Sequence, residues 1–170
     1  MKYLMLCLLL QTGMLASAQI QGATLQASGL TCAMCSNAIH KSLSQLPFIE
    51  SIEPDLEKSA FIVQFKPGAV VDFDAMRKKV EDAGFFVARL EVSARFNGEK
   101  VQKGQVMRFQ NMQFWIAETS ATVLQGEHHF TILDKSFVPA KELKKYQSSI
   151  RTDSYKTGLL GGSRIYHISI

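Results

Sequence analysis

Two cysteines stand three residues apart in Gly29-Leu30-Thr31-Cys32-Ala33-Met34-Cys35, and their thiols are the groups in this chain best suited to chemistry. Three roles fit such a pair: thiol-disulfide exchange, a structural disulfide, and binding of a soft metal ion by two thiolates. A disulfide between Cys32 and Cys35 would close a very short loop and would restrain the unfolded chain little. The pattern therefore favours a chemical role for the pair.

The elements around the cysteines place them between a strand and a helix. Apolar and polar residues alternate over residues 23–27, which predicts a half-buried strand ending at Ser28-Gly29. Helical spacing of apolar residues begins at Cys35 and stops at Pro47. Because the free N–H groups at a helix N-terminus stabilise negative charge, both thiols are expected to ionise more readily than a free cysteine.

The next residues predict a complete small fold. Two strands, over residues 48–56 and 61–65, flank a turn at Glu57-Lys58. A second helix begins after Asp72 as its N-cap and ends near Gly84, and a fourth strand covers residues 86–92. The order βαββαβ predicts a ferredoxin-like sandwich with two helices on one face of the sheet.

The C-terminal part of the chain predicts mainly short strands, over residues 106–109, 113–118, 121–124, 129–133 and 163–170, with one helix over residues 139–146. Many short strands indicate a small β-barrel or sandwich, of which an OB-like barrel is one form. The predicted fold class is α+β, with a ferredoxin-like domain over residues 19–92 and a β-rich domain of unknown function over residues 95–170.

The N-terminal residues 1–18 predict a cleavable signal peptide, with one basic residue, an apolar stretch and an Ala16-Ser17-Ala18 ending. The mature protein would begin at Gln19, be secreted across the inner membrane, and be periplasmic or extracellular. No later stretch approaches the roughly 20 apolar residues of a membrane helix, so the mature chain is not expected to span a membrane. A net charge of +4 without a long Lys/Arg block gives no indication of a nucleic-acid partner.

Other possible metal ligands lack a recognisable spacing. His128 and His129 are adjacent in a predicted strand, so their side chains should point to opposite faces. His167 is expected to be exposed, and His40 to lie on the surface near the cysteines. Met107 and Met112 are expected to pack in the core rather than to bind copper. No Ser/His/Asp arrangement has a recognisable context, so no catalytic residues are predicted and the protein is not expected to be an enzyme.

The segment Gly29 to Cys35, followed about fifty residues later by Asp82-Ala83-Gly84-Phe85, resembles the heavy-metal-associated domain. This domain occurs in copper chaperones, periplasmic mercury-binding proteins and the N-terminal extensions of copper ATPases. The resemblance covers residues 22–92 and implies that Cys32 and Cys35 are the metal ligands. Leu30 stands where the family usually has Met, a volume-conserving change. Phe85 resembles the aromatic residue of ATPase domains and bacterial carriers.

Two thiolates on an exposed loop suit a soft ion that accepts two ligands, which describes Cu(I) and also Hg(II). Zn(II) fits less well, because it prefers four ligands and because zinc-preferring relatives resemble this loop with Asp in place of Thr31. An incoming thiolate can add before one of the first ligands leaves, so the predicted function is transfer to a thiol-bearing acceptor or a metal-transporting ATPase.

Two other functions remain open at this point. One is thiol-disulfide exchange, since an oxidising compartment could also join Cys32 and Cys35 as a disulfide. The other is a docking module that brings the C-terminal domain to a metal transporter.

Overall fold

The computed structural model describes residues 18–30 and 33–170. The predicted signal peptide lies outside the described residues except for Ala18, as do Thr31 and Cys32. In chain order the elements are β1 (Gln19–Ser28), α1 (Ala33–Leu43), β2 (Ile49–Asp55), β3 (Ala60–Phe65), α2 (Phe73–Asp82), β4 (Phe86–Lys100), β5 (Val106–Phe109), β6 (Met112–Glu118), β7 (Val123–Ile132), α3 (Ala140–Ser149), α4 (Asp153–Thr157), β8 (Leu159–Leu160) and β9 (Ser163–Ser169). No helix in this part of the chain is both long and apolar enough to cross a membrane.

The first six elements form the predicted ferredoxin-like unit. Their strands lie in the order β2-β3-β1-β4 and pair antiparallel, with Leu25 of β1 opposite both Phe61 of β3 and Leu90 of β4. The helices lie side by side, and Ser42 of α1 donates a hydrogen bond of 2.7 Å to the carbonyl of Lys79 in α2. Both helices bury apolar side chains in the main core. The βαββαβ prediction is confirmed.

Strand β4 is longer than predicted and continues the sheet into the second half of the chain. It pairs with β1 through Arg95 and, on its other edge, with β7 from Glu91 to Lys100. The predicted end at Val92 is therefore wrong. Asn97-Gly98 forms a bulge in β4, where the register shifts and Gly98 adopts a φ of 98°. The strand continues past the bulge because β7 pairs with it on both sides of this irregularity.

The second half (residues 93–170) adds β7, β9, β6 and β5 to the same sheet, with β9 parallel to β6 and β8 paired to β9. One strand, β7, replaces the two short strands predicted over residues 121–133, and Gly126 lies within it with a φ of 80°. Pro139 occupies the N-cap position of α3, which extends to Ser149. Helix α4 and strand β8 were not predicted. Over the described residues β5 pairs with β6 alone, so the sheet does not close and an OB-like barrel is not confirmed.

Candidate metal centre

The predicted metal-binding loop joins the end of β1 to the start of α1. Helix α1 begins at Ala33, two residues before its predicted start, so Cys35 is the third residue of the helix. Cys35 is half-buried, whereas Met34 is 84% exposed, and Leu30 packs against the core as expected for a Leu in place of Met. Thr31 and Cys32 lie outside the described residues, so the distance between the two sulfurs is not defined.

The helix favours a negative charge at Cys35. Within α1 the first turn has no acidic residue, and the last turn carries His40 and Lys41. Backbone N–H groups of the first turn are free of helical partners and point toward the loop. Their partial positive charge stabilises a thiolate relative to a thiol, which is the form that binds a metal.

Cys35 is disulfide-bonded in this structure. The other cysteines of the chain, Cys7 and Cys32, both lie outside the described residues. A sulfur in a disulfide is not a thiolate, so the structure describes an oxidised form that must be reduced before Cys35 can bind a metal ion. Residues 18–30 and 33–170 contain no cluster of three or more His, Cys, Asp or Glu that could hold a metal ion.

The end of α2 lies at the same end of the sheet as the loop. Gly84 has a φ of 88°, its N–H donates to the carbonyl of Glu81, and the N–H of Phe85 donates to the carbonyl of Val80. These two bonds form a Schellman motif, which confirms the predicted left-handed C-cap. Phe85 packs against the core, and the next residue, Phe86, accepts a hydrogen bond of 3.2 Å from the Ser28 hydroxyl.

A groove of about 330 Å³ lies beside the start of α1. It is lined by Ala33, Ser36, Asn37 and His40 of the helix, with Pro54 and Leu56 from β2 and the turn that follows it. His40 is partly exposed there, which agrees with its predicted position on the surface near the cysteines.

The other candidate ligands are not gathered into a metal site. His128 is half-buried with its ring 6.1 Å from that of Phe96, whereas His129 is exposed near Glu127, at 3.7 Å, and Glu91, at 4.0 Å. The two histidines therefore face opposite sides of β7, as predicted. Met107 and Met112 both pack in or against the main core, as predicted.

His167 is 0% exposed, so the prediction that it lies on the surface is wrong. Its Nδ1 is 3.1 Å from Asp134 Oδ1 and its Nε2 is 3.0 Å from Ser154 Oγ. Its ring also packs at 4.9 Å from the ring of Tyr155. Both Ser154 and Tyr155 belong to α4, the helix that was not predicted, and this helix covers the face of β9 that strand alternation alone assigned to solvent.

The contacts among Ser154, His167 and Asp134 follow the order of a catalytic triad, and sequence reasoning did not anticipate them. Ser154 is only 7% exposed, and its hydroxyl donates to Thr152 Oγ1 at 3.0 Å. Asp134 also accepts the backbone N–H of His167 at 2.7 Å. A nucleophilic serine must reach its substrate. In this structure the three side chains instead join α4 to β9 inside the protein.

A second polar cluster, the Arg164 bridge, comprises Asp74, Asp134, Arg164 and Tyr166 and joins α2 to the second half. Arg164 Nε donates to Asp74 Oδ2 at 2.7 Å, and its Nη1 lies 3.4 Å from Asp134 Oδ1. The guanidinium carbon is 4.0 Å from the ring centroid of Tyr166, whose hydroxyl donates to Asp74 at 3.1 Å. The bridge thus connects both halves of the chain through charged hydrogen bonds.

Partial burial raises the pKa of Asp74, but the hydrogen bonds and charge of Arg164 outweigh it and hold this pKa below its ordinary value. Burial lowers the pKa of Arg164, but the hydrogen bond to Asp74 and the charges of both carboxylates outweigh this and hold the pKa above its ordinary value. Arg164 therefore stays charged, and Asp74 stays ionised at neutral pH.

A ferredoxin-like βαββαβ unit with a Cys-x-x-Cys loop at a helix N-terminus defines a class of small metal-binding modules. Residues 24–86 of this chain match the model of the heavy-metal-associated domain. The matched range ends at the first residue of β4, so most of β4 and everything after it lie outside the match.

Individual relatives match less than half of the chain. The Arabidopsis thaliana protein "Probable copper-transporting ATPase HMA5" is 30% identical over 82 residues, which is 48% of this chain and only 8% of that ATPase. Among solved structures, the CopZ metallochaperone is 25% identical over 42% of this chain and 100% of its own, with a TM-score of 0.35. CopA from Bacillus subtilis is 28% identical over 41% of this chain and 90% of its own, with a TM-score of 0.35.

Proposed function

We propose that this protein is an exported, non-enzymatic carrier of one Cu(I) ion, held by the thiolates of Cys32 and Cys35 when both are reduced. The observation that supports this most is the heavy-metal-associated domain at residues 24–86, with Cys35 in the first turn of α1. Export rests on the signal-like residues 1–18 and would be supported by a mature N-terminus at Gln19.

Cu(I) is the preferred metal because two thiolates satisfy a soft ion that accepts two ligands. Copper also appears in the names of the Arabidopsis ATPase and of other relatives, which supports the same choice for this chain. Hg(II) is the second candidate, and Zn(II) would need two further ligands. Transfer proceeds when a thiolate of the acceptor adds to the ion as a third ligand and one cysteine of this chain then leaves.

The disulfide at Cys35 makes loading depend on redox state. Reduction of a disulfide consumes two electrons and two protons and yields two thiols, which lose their protons when the metal binds. We propose that the carrier is loaded where a thiol reductant is present, or receives its metal before it is oxidised.

Competitive titration of the anaerobically reduced chain against a Cu(I) chelator tests the proposal. One ion per chain is expected, and the double variant Cys32→Ser/Cys35→Ser should bind none. Met34→Ala changes an exposed residue between the thiols and should retain full stoichiometry. Stoichiometric binding by the double serine variant would overturn the assignment.

Thiol-disulfide exchange is the second candidate, since Cys35 is already disulfide-bonded. It requires catalytic turnover of a protein disulfide in the absence of metal. Measurement of insulin reduction with the metal-free chain separates the two functions: turnover that is lost in Cys35→Ser would favour exchange over carriage.

A further inference from the structure

The second half of the chain reaches the end of the sheet that carries the metal-binding loop and forms a groove there. This Phe86 groove, of about 250 Å³, is lined by Ser28 and Phe86 on one side and by Ser136, Val138, Pro139 and Ala140 on the other. Ser28 stands four residues before Cys32 in the sequence and is hydrogen-bonded to Phe86. The groove therefore lies at the end of β1 from which the loop starts.

The groove exposes apolar surface. Phe86 is 68% exposed, although it begins a strand, and Pro139 and Ala140 are exposed as well. Val138 is buried and forms part of the floor. An exposed aromatic ring beside a preformed groove can gain free energy when a partner covers it.

Lysines adjoin residues of the groove along the chain, since Lys135 precedes Ser136 and Lys141 follows Ala140. Lys135, Lys141 and Lys144 are exposed, and within the described part of the chain none of them forms an ion pair. Helix α3 begins at the groove and carries one acidic residue, Glu142.

The formal charge also differs between the two halves of the chain. Residues 19–92 contain seven Lys/Arg and nine Asp/Glu, a formal charge of −2, whereas residues 93–170 contain eleven and six, a formal charge of +5. The positive surface near the loop therefore belongs to the half of the chain outside the heavy-metal-associated domain.

The position of α3 next to the loop is fixed by buried contacts. Asp134, directly before Lys135, binds the N–H of His167 and contacts Arg164, which in turn binds Asp74 of α2. Phe137 is buried, with its ring 6.3 Å from that of Tyr166. These contacts fix the segment that leads into α3 relative to the first half, so a partner would meet the loop and the lysines together.

We propose that the Phe86 groove and the lysines of α3 form a docking surface for a thiol-bearing metal acceptor. The acceptor is acidic next to its own thiols and places an apolar side chain in the groove. This proposal rests on the proposed carrier function and names its partner. Ligand exchange requires the two thiol sites to meet, so the surfaces around them must touch. Like charges at that contact would oppose association, whereas opposite charges accelerate it.

The test measures the rate of Cu(I) transfer from the full mature chain to a monomeric heavy-metal-associated acceptor domain. The acceptor is made in two versions that differ only in having Glu or Lys at several surface positions around its thiols. The donor variants are Lys141→Glu/Lys144→Glu on α3 and, as a control with the same change in net charge, Lys100→Glu/Lys103→Glu at the far end of β4. All four lysines are exposed, so the variants should fold.

The wild-type donor should transfer at least about tenfold faster to the acidic acceptor than to the basic one, and the difference should shrink in high salt. The α3 variant should lose most of this preference and the control variant should keep it. Phe86→Ser should slow transfer to the acidic acceptor while leaving the salt dependence unchanged.

Three results would overturn the docking proposal. Equal rates for both acceptors would do so, and so would equal losses in the α3 variant and its control. Binding of the metal-loaded chain to anionic phospholipid vesicles, lost in the α3 variant, would assign the surface to a membrane instead. Cu(I) stoichiometry is measured for every donor, so a chain that binds no copper contradicts the carrier function itself.

Discussion

Cys35 combines two properties that a carrier needs, partial burial and a place in the first turn of α1. Burial alone would disfavour a thiolate, and the helix N-terminus offsets this. Partial exposure leaves room for an incoming thiolate from a partner. The disulfide at this residue adds a redox condition to the proposed metal loading.

Asp74 provides a prediction about acid stability. Its pKa is lowered in the folded protein, so its contribution to stability is present above its unfolded pKa of about 4 and is lost as pH falls through the folded value. Asp74→Asn should cost about 1 kcal/mol at pH 7 and should make the loss of stability between neutral pH and pH 2 smaller. Urea unfolding at a series of pH values measures both effects.

Glu50→Gln is the matched control, because Glu50 is an exposed carboxylate on the edge strand β2. It should leave the stability and its pH dependence close to those of the wild type. If Asp74→Asn kept the full acid dependence, the Arg164 bridge would not be the source of that dependence.

His167 shows how a polar residue becomes an interior one. Its two ring nitrogens and its backbone N–H all have partners, and within the described residues no buried side-chain nitrogen or oxygen lacks one. A buried imidazole is tolerated only under that condition. Those partners come from residues 134 and 154, which no local pattern connects to residue 167.

At the scale of elements, α2 has both of the ends that its sequence predicts. Asp72 accepts the N–H of Ala75 at 2.9 Å, and the helix ends in a Schellman motif at Gly84. These ends fix the direction in which Phe85 and Phe86 leave the helix toward the metal-binding loop. The caps therefore link a local rule to the position of the proposed docking surface.

The N-cap of α2 can be tested directly. Asp72→Ala should lower the free energy of unfolding by about 1 kcal/mol, because the N–H of Ala75 loses its acceptor. Asp72→Asn removes the charge but keeps a side-chain oxygen, and so should cost only a few tenths of a kcal/mol. Thermal or urea unfolding of the two variants decides the matter: equal losses would mean that the charge, not the capping bond, is responsible.

Strands β4 and β7 show where turn residues mislead. Asn97-Gly98 and Gln125-Gly126 are typical of turns, but both pairs lie inside strands that pair with each other. Gly126 lies opposite Phe96, next to the bulge, so the two irregularities occur at the same place. The nine residue pairs between β4 and β7 outweigh the local preference of two residues for a turn.

At the scale of the molecule, the sheet passes from one half of the chain to the other without interruption. One core cluster contains Leu25 and Phe61 from the first half and Phe114 and Ile168 from the second. The boundary predicted at residues 92–95 lies within β4. Because the two halves share one sheet and one core cluster, we expect the chain to unfold as one unit.

Phe61→Ala tests whether the halves unfold together. Phe61 is fully buried in β3, and its truncation should cost about 3 to 5 kcal/mol. Trp115, the sole tryptophan, lies in β6 of the second half. Its fluorescence should report the same lowered unfolding midpoint as far-ultraviolet circular dichroism.

The exposed Ile62→Ser is the control, and both probes should show only a small change for it. An unchanged tryptophan midpoint in Phe61→Ala, with an earlier transition in the dichroism signal, would show two independently folding domains.

The sequence by itself determined the resemblance to the heavy-metal-associated domain, the order of the first six elements, the caps of α2 and the place of Cys35 near the start of α1. These features depend on residues close together in the chain, where periodicity and capping act directly. The thiol chemistry follows from two residues three positions apart, and it remains a prediction for both Cys32 and Cys35.

Only the tertiary structure decided the burial of His167, the pairing of β4 with β7, and the position of the start of α3 beside the end of β1. Each depends on contacts between residues distant in sequence, such as Arg164 with Asp74 and Ser154 with His167. No local pattern encodes such contacts, because they arise when separate elements bury their surfaces against one another.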